Sequence, residues 1–104
     1  MSKSIEYIVF LTGEDKVRIL FQKHRGRISY FIVQYSALIG GRWRSILRYD
    51  TCHGYAHKHR YHLHDTQLVI NLSQRGEPLN EIFTEATSDI KQNFSKIKAS
   101  FLRT

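Results

Sequence analysis

Apolar and polar positions alternate in short runs over the first seventy or so residues, and the period then changes. Ile5 to Leu11 (IEYIVFL) is apolar and partly β-branched, which reads as a buried strand. Thr12-Gly13-Glu14-Asp15 has turn composition. Lys16 to Gln22 alternates, with Val17, Ile19 and Phe21 on one face, so the two segments predict a hairpin. Lys23 to Arg27 is a second, basic turn centred on Gly26. Ile28 to Ile39 is a long strand. Gly40-Gly41 then predicts a two-residue hairpin turn, because both glycines accept positive φ.

Arg42 to Asp50 (RWRSILRYD) also alternates. Strict alternation puts Trp43, Ser45, Leu47 and Tyr49 on one face and Arg42, Arg44, Ile46, Arg48 and Asp50 on the other. A simple turn places Arg48 across from Val33 and Asp50 across from Phe31; a bulge would shift that register. Thr51 to Arg60 reads as a loop around Gly54. Tyr61 to Asp65 and Gln67 to Leu72 read as short strands or one bent strand, and residues 73–77 as a turn. From Pro78 the apolar residues fall at Leu79, Ile82, Phe83, Ala86, Ile90, Phe94, Ile97 and Phe101. Steps of three and four predict one amphipathic helix of about six turns. Its acidic first half and basic second half match the helix dipole. The expected fold class is α+β: an antiparallel sheet of four to six strands, with one long C-terminal helix packed on one face, in a single domain over residues 1–104.

Charge adds a direction. The net charge is +7: residues 1–41 carry +3, residues 42–64 carry +4, and the rest sum to zero. An anionic polymer or nucleotide, RNA or DNA first, is the expected partner. The bland alternative is a basic protein whose charge only keeps it from aggregating. No amphipathic helix carries the excess charge and no apolar run is long enough to cross a bilayer, so a membrane partner is not expected. A single cysteine, Cys52, rules out an intrachain disulfide. The start MSKSIEY lacks a signal-peptide hydrophobic region, so the cytoplasm is the expected location. Ile28 to Ile39 could leave an exposed edge for a homodimer.

The stretch from Arg42 to His64 holds the candidate chemistry. It contains five of the six histidines, His53, His57, His59, His62 and His64, with Arg42, Arg44, Arg48, Lys58 and Arg60 against one carboxylate, Asp50. Such side chains cost free energy to bury, so they belong in a wet cleft or against an anion. On an extended backbone His57 and His59 point to one side, as do His62 and His64. Two histidines can supply the base and acid of phosphodiester cleavage, with His53, His57 and His59 the candidates. Arg48 or Arg44 could stabilise the extra transition-state charge. Asp50 could orient an imidazole or pair with an arginine. Arg42, Arg44, Lys58 and Arg60 are candidate phosphate contacts, and Tyr49 and Tyr61 candidate donors or base stacks. This chemistry needs no cofactor. The alternatives are a metal site built from His57, His59, His62 and His64, or surface imidazoles in a polar loop.

Trp43 and the run Arg48-Tyr49-Asp50-Thr51-Cys52-His53-Gly54-Tyr55-Ala56-His57 resemble the shared core of a family of short, uncharacterised archaeal and bacterial proteins. In them a W, an R-Y-D, an H-G and a further H precede a C-terminal helix. More distantly the pattern is similar to TumE-type toxins of toxin–antitoxin modules, although Thr51-Cys52 follows Asp50 here. The resemblance implies that Arg48, Asp50, His53 and His57 are the working positions, and on it the protein could be a toxin with an antitoxin-like partner. The expectation is a metal-independent ribonuclease or related phosphodiesterase acting on linear RNA or a small cyclic oligonucleotide. Its alternatives are a non-catalytic nucleic-acid-binding module and a metal-dependent hydrolase.

Overall fold

The computed structural model describes residues 3–51, 55–72 and 78–104. They form an antiparallel meander of six strands in sequence order: β1 (Lys3–Thr12), β2 (Asp15–His24), β3 (Arg27–Ile39), β4 (Arg42–Asp50), β5 (His57–Tyr61) and β6 (Gln67–Asn71). One helix, α1 (Leu79–Leu102), packs across β3 and β4. The antiparallel sheet with a single C-terminal helix on one face is therefore the architecture expected from the periodicities. α1 is not long and apolar enough, as a whole or in any stretch, to cross a membrane.

Turn chemistry sets the second and third hairpins. Gly40 and Gly41 both have positive φ, +59° and +78°, which matches the right-handed twist of the flanking strands. Arg25 and Gly26 do the same at the β2–β3 turn, with φ of +52° and +77°. Pro78 stands just before α1, one position earlier than the first helical turn. Its fixed φ enters the helix without strain, and its carbonyl accepts from the N–H groups of Glu81 (3.0 Å) and Ile82 (3.3 Å).

The core lies between α1 and the middle of the sheet. Ile82, Ala86, Ile90 and Phe101 of α1 are buried against Val33, Tyr35 and Leu47 and their neighbours. Each large apolar side chain so buried contributes about 1.5–3 kcal/mol. Tyr35 is fully buried, and its hydroxyl donates to Asp15 Oδ1 at 2.5 Å. Burial first, then the hydrogen bond and the Asp15 charge, push the phenol well above the usual tyrosine range. The unfolded chain ionises near pH 10, where the folded one does not. This contribution is therefore complete below that pH and is lost as pH rises above it. Tyr35→Phe should cost about 1.5–3 kcal/mol at neutral pH, the range for a hydrogen bond to a charged group. Urea melts at pH 7 and above pH 10 check this: the wild-type advantage should shrink at alkaline pH.

Three expectations are corrected. First, β1 is not buried: Ile5, Tyr7, Ile8 and Phe10 are 44–60% exposed. Six strands spaced about 4.8 Å apart are wider than one helix, about 10 Å across, can cover. Second, Ile28 to Ile39 is not an edge. β3 lies between β2 and β4, and the edges are β1 and β6. Third, residues 57–60 are strand rather than loop, paired with β4 on one side and β6 on the other.

The alternation of β4 is also broken. The β3–β4 register shifts between Tyr35 and Ser36, so that Ile46 is an extra residue. Arg48 consequently lies across from Gln34 and Asp50 from Ile32, not from Val33 and Phe31. A bulge of this kind switches which face the following residues occupy. Ile46 and Leu47 both face α1, and Arg48 and Asp50 emerge on the opposite, uncovered face.

Candidate active site on the open face of the sheet

Asp50 is the centre of the site. The residue is 2% exposed, at the end of β4, and its carboxylate lies on the face away from α1. Next to it, Thr51 pins the strand end: its N–H donates to the Phe31 carbonyl (3.2 Å), and its hydroxyl oxygen accepts from the Phe31 N–H (3.0 Å). A carboxylate in such a place costs several kcal/mol unless cations and donors surround it. Arg48 provides one: its Nε donates to Asp50 Oδ2 at 2.8 Å.

β5 supplies the histidines. His57 pairs with Asp50 and His59 with Arg48 across the ladder, so period-two alternation puts both rings on the Asp50 face. His59 Nε2 lies 3.3 Å from Asp50 Oδ2, and its Nδ1 lies 3.0 Å from Gln67 Oε1. His57 Nδ1 is buried 3.8 Å from Asp50 Oδ1 and has no hydrogen-bond partner among the described residues. One buried carboxylate thus gathers a guanidinium and two imidazoles. These groups, with Tyr61, Gln67 and Val69, line a depression of about 330 Å³.

The rings form a row along the strand. Tyr55 tilts onto His57 with centroids 4.3 Å apart. His57 and His59 are 6.0 Å apart, and Tyr61 stacks parallel to His59 at 6.1 Å. The arrangement sets two imidazoles and a guanidinium around one carboxylate, with both nitrogens of His59 facing acceptors, Asp50 and Gln67. With neutral imidazoles Arg48 and Asp50 cancel; one proton on either histidine makes the site a net cation.

The other expected residues are distributed elsewhere. His53 lies outside the described residues, as do Cys52 and Gly54. Lys58 and Arg60 alternate to the helix side, where Lys58 Nζ sits 5.2 Å from the Tyr49 ring centre. Tyr49 is buried on that side, and its hydroxyl donates to Asp89 Oδ2 at 2.9 Å. Arg44 donates to the Leu63 carbonyl at 2.9 Å and lies over the Phe101 ring. Arg42 is exposed beside the Gly40-Gly41 turn. His62 bonds the Thr66 hydroxyl oxygen at 2.8 Å in the β5–β6 turn, and His64 is exposed there. That turn reverses the chain with Asp65 at φ +65°, so His62 and His64 do not extend the His57–His59 row. Among the described residues no group of three or more His, Cys, Asp or Glu side chains is placed to hold a metal ion.

Gln67 is the residue that sequence reasoning missed, because it reaches His59 from the next strand. A β5–β6 hairpin register would have found it, since Gln67 pairs with Tyr61, two residues along from His59. Tyr55 carries only the motif in the sequence, and its contact with His57 is visible only in three dimensions.

No curated protein and no solved structure matches the chain. A family model, described as Domain of unknown function (DUF7718), matches residues 1–104, and the chain belongs to that family.

Proposed function

We propose that the protein is a metal-independent ribonuclease that cleaves RNA through His57 and His59. One observation carries this reading: Asp50 holds Arg48 and both imidazoles in a single open depression, at 2.8, 3.3 and 3.8 Å. One histidine removes the proton of a ribose 2′-hydroxyl. The 2′-oxygen attacks the adjacent phosphorus, and the bond to the 5′-oxygen breaks. The other histidine gives that leaving oxygen a proton. The products are a 2′,3′-cyclic phosphate and a 5′-hydroxyl. The two rings stand side by side on one face of β5, with centroids 6.0 Å apart, so one phosphate bound over the depression would lie within reach of both.

Arg48 uses Nε on Asp50, and its terminal nitrogens, without a hydrogen-bond partner among the described residues, would meet the phosphoryl oxygens. They would offset the extra charge of the five-coordinate transition state. Asp50 fixes ring orientation and stabilises whichever imidazolium forms. Tyr55 and Tyr61, at the two ends of the row, offer faces on which unpaired bases stack. Linear RNA and a small cyclic oligonucleotide both supply the required 2′-hydroxyl. The resemblance to TumE-type toxins supports RNA as the substrate class, and with it an antitoxin-like protein as partner.

The four-ring row also favours a second reading, a single-strand-binding platform without turnover. Incubation of the EDTA-treated protein with labelled RNA and with single-stranded DNA of the same sequence separates the two. Cleavage of RNA alone supports the nuclease. Salt-sensitive binding of both strands without cleavage supports the platform. Cleavage that EDTA abolishes would refute the metal-independent mechanism.

A further inference from the structure

A second cavity lies on the opposite face of the sheet, between β5 and the C-terminal half of α1. It encloses about 270 Å³, at the small end of ligand pockets. Its floor is apolar: Ile46 and Leu47, turned inward together by the β4 bulge, with Ile97 and Phe101 from α1. Its wall is cationic. Lys58 and Arg60 come from β5 and Lys96 from α1.

Four cations of the chain face carboxylates. Arg18 is paired with Glu6 at 2.7 Å, Arg48 with Asp50 at 2.8 Å, Arg44 with Asp65 at 3.6 Å and Lys98 with Asp15 at 3.8 Å. Lys58, Arg60 and Lys96 have no ion-pair partner among the described residues. One carboxylate, Asp89, also faces the cavity, and its oxygens accept from the Tyr49 hydroxyl (2.9 Å) and the Asn93 amide (3.0 Å). Three cations against one hydrogen-bonded carboxylate leave a net positive cavity. His62, on its rim, adds charge when protonated.

We propose that this cavity binds a small organic phosphate of the nucleoside monophosphate class. The phosphate sits among Lys58, Arg60 and Lys96, and the base or sugar covers the Ile46–Leu47–Ile97–Phe101 floor. Convergent cations supply charge-assisted hydrogen bonds, and the floor supplies apolar contact that an inorganic ion cannot use. The strand between the two sites explains why both exist. Alternation along β5 sends His57 and His59 to one face, and Lys58 and Arg60 to the other. The site is separate from the histidine pair and does not rest on the ribonuclease reading.

The test is calorimetric titration of the full chain with uridine and adenosine monophosphates, inorganic phosphate and uridine. The proteins are the wild type, an Arg60→Glu/Lys96→Glu variant and a His57→Ala/His59→Ala variant. Arg60 and Lys96 are exposed, so their exchange should leave the fold intact, which circular dichroism checks. The expected result is that a monophosphate binds the wild type and the histidine variant equally. The charge-reversed variant should bind about ten-fold or more weakly, the loss of a charged hydrogen bond. Inorganic phosphate and uridine should each bind more weakly than the monophosphate. No monophosphate binding, binding that survives charge reversal, binding lost in the histidine variant, or equal binding of inorganic phosphate would each overturn the proposal.

Discussion

His57→Ala and His59→Ala should each lower RNA cleavage by about 100- to 10,000-fold, the usual contribution of a general acid or base. The two losses should not add, because the residues act as one unit on the same phosphate. The double variant should therefore be only slightly worse than either single one. Neither ring is deep in the core: the side chains are 13% and 22% exposed. Thermal melts should accordingly shift by only a few degrees, and RNA binding by Arg48 should persist. Initial rates, melts and binding on the same preparations check all three. Full activity in both single variants and in the double variant would sink the assignment.

Asp50→Asn should lower activity to a similar depth and should also weaken the fold, and the combination sets it apart from the histidine variants. The amide keeps the shape of the carboxylate but loses its charge. Arg48 Nε is then left against a neutral group, and neither imidazolium is stabilised. Breaking one side of a buried ion pair costs about 3–5 kcal/mol; the Arg48 side chain is 28% exposed, so about 2–3 kcal/mol is expected here. Denaturant melts would read that cost directly. Arg48→Lys separates the roles further. A lysine retains the charge on Asp50 but cannot offer terminal nitrogens to a phosphate while its own nitrogen is engaged. Activity should fall while stability changes little.

Much of the architecture is written in local pattern. The apolar steps from Leu79 to Phe101 define α1, and Gly40-Gly41 defines the β3–β4 turn, because each depends on residues close together in sequence. What escaped depends on distant contacts. The bulge at Ile46 leaves only a faint mark in RWRSILRYD, the adjacent apolar pair Ile46-Leu47, yet it decides that Arg48 joins the open face while Arg44 lies over Phe101. β5 (HKHRY) has almost no apolar residue, so nothing in its composition announces a strand; pairing with both neighbours makes it one. The exposure of β1 follows from where α1 lands, which no property of IEYIVFL encodes.

The candidate site was legible to the same degree. Two histidines two residues apart face one way on any extended chain, and His57 and His59 do. His62 and His64 have the same spacing, but the Asp65 turn removes the extended backbone on which the rule rests. The basic stretch looked like a single patch because sequence proximity does not distinguish the faces of a strand. In the fold it divides, with Arg48 beside Asp50 and Lys58 and Arg60 behind the sheet.

The most direct measurement is the end chemistry of RNA cut by the EDTA-treated protein, using a substrate with a single 2′-deoxy position. Cleavage that leaves 2′,3′-cyclic phosphate and 5′-hydroxyl ends, and that skips the bond after the deoxy nucleotide, is the predicted result. Products with 5′-phosphate ends, or a cut at the deoxy position, would contradict attack by the 2′-hydroxyl, and with it the roles of His57 and His59.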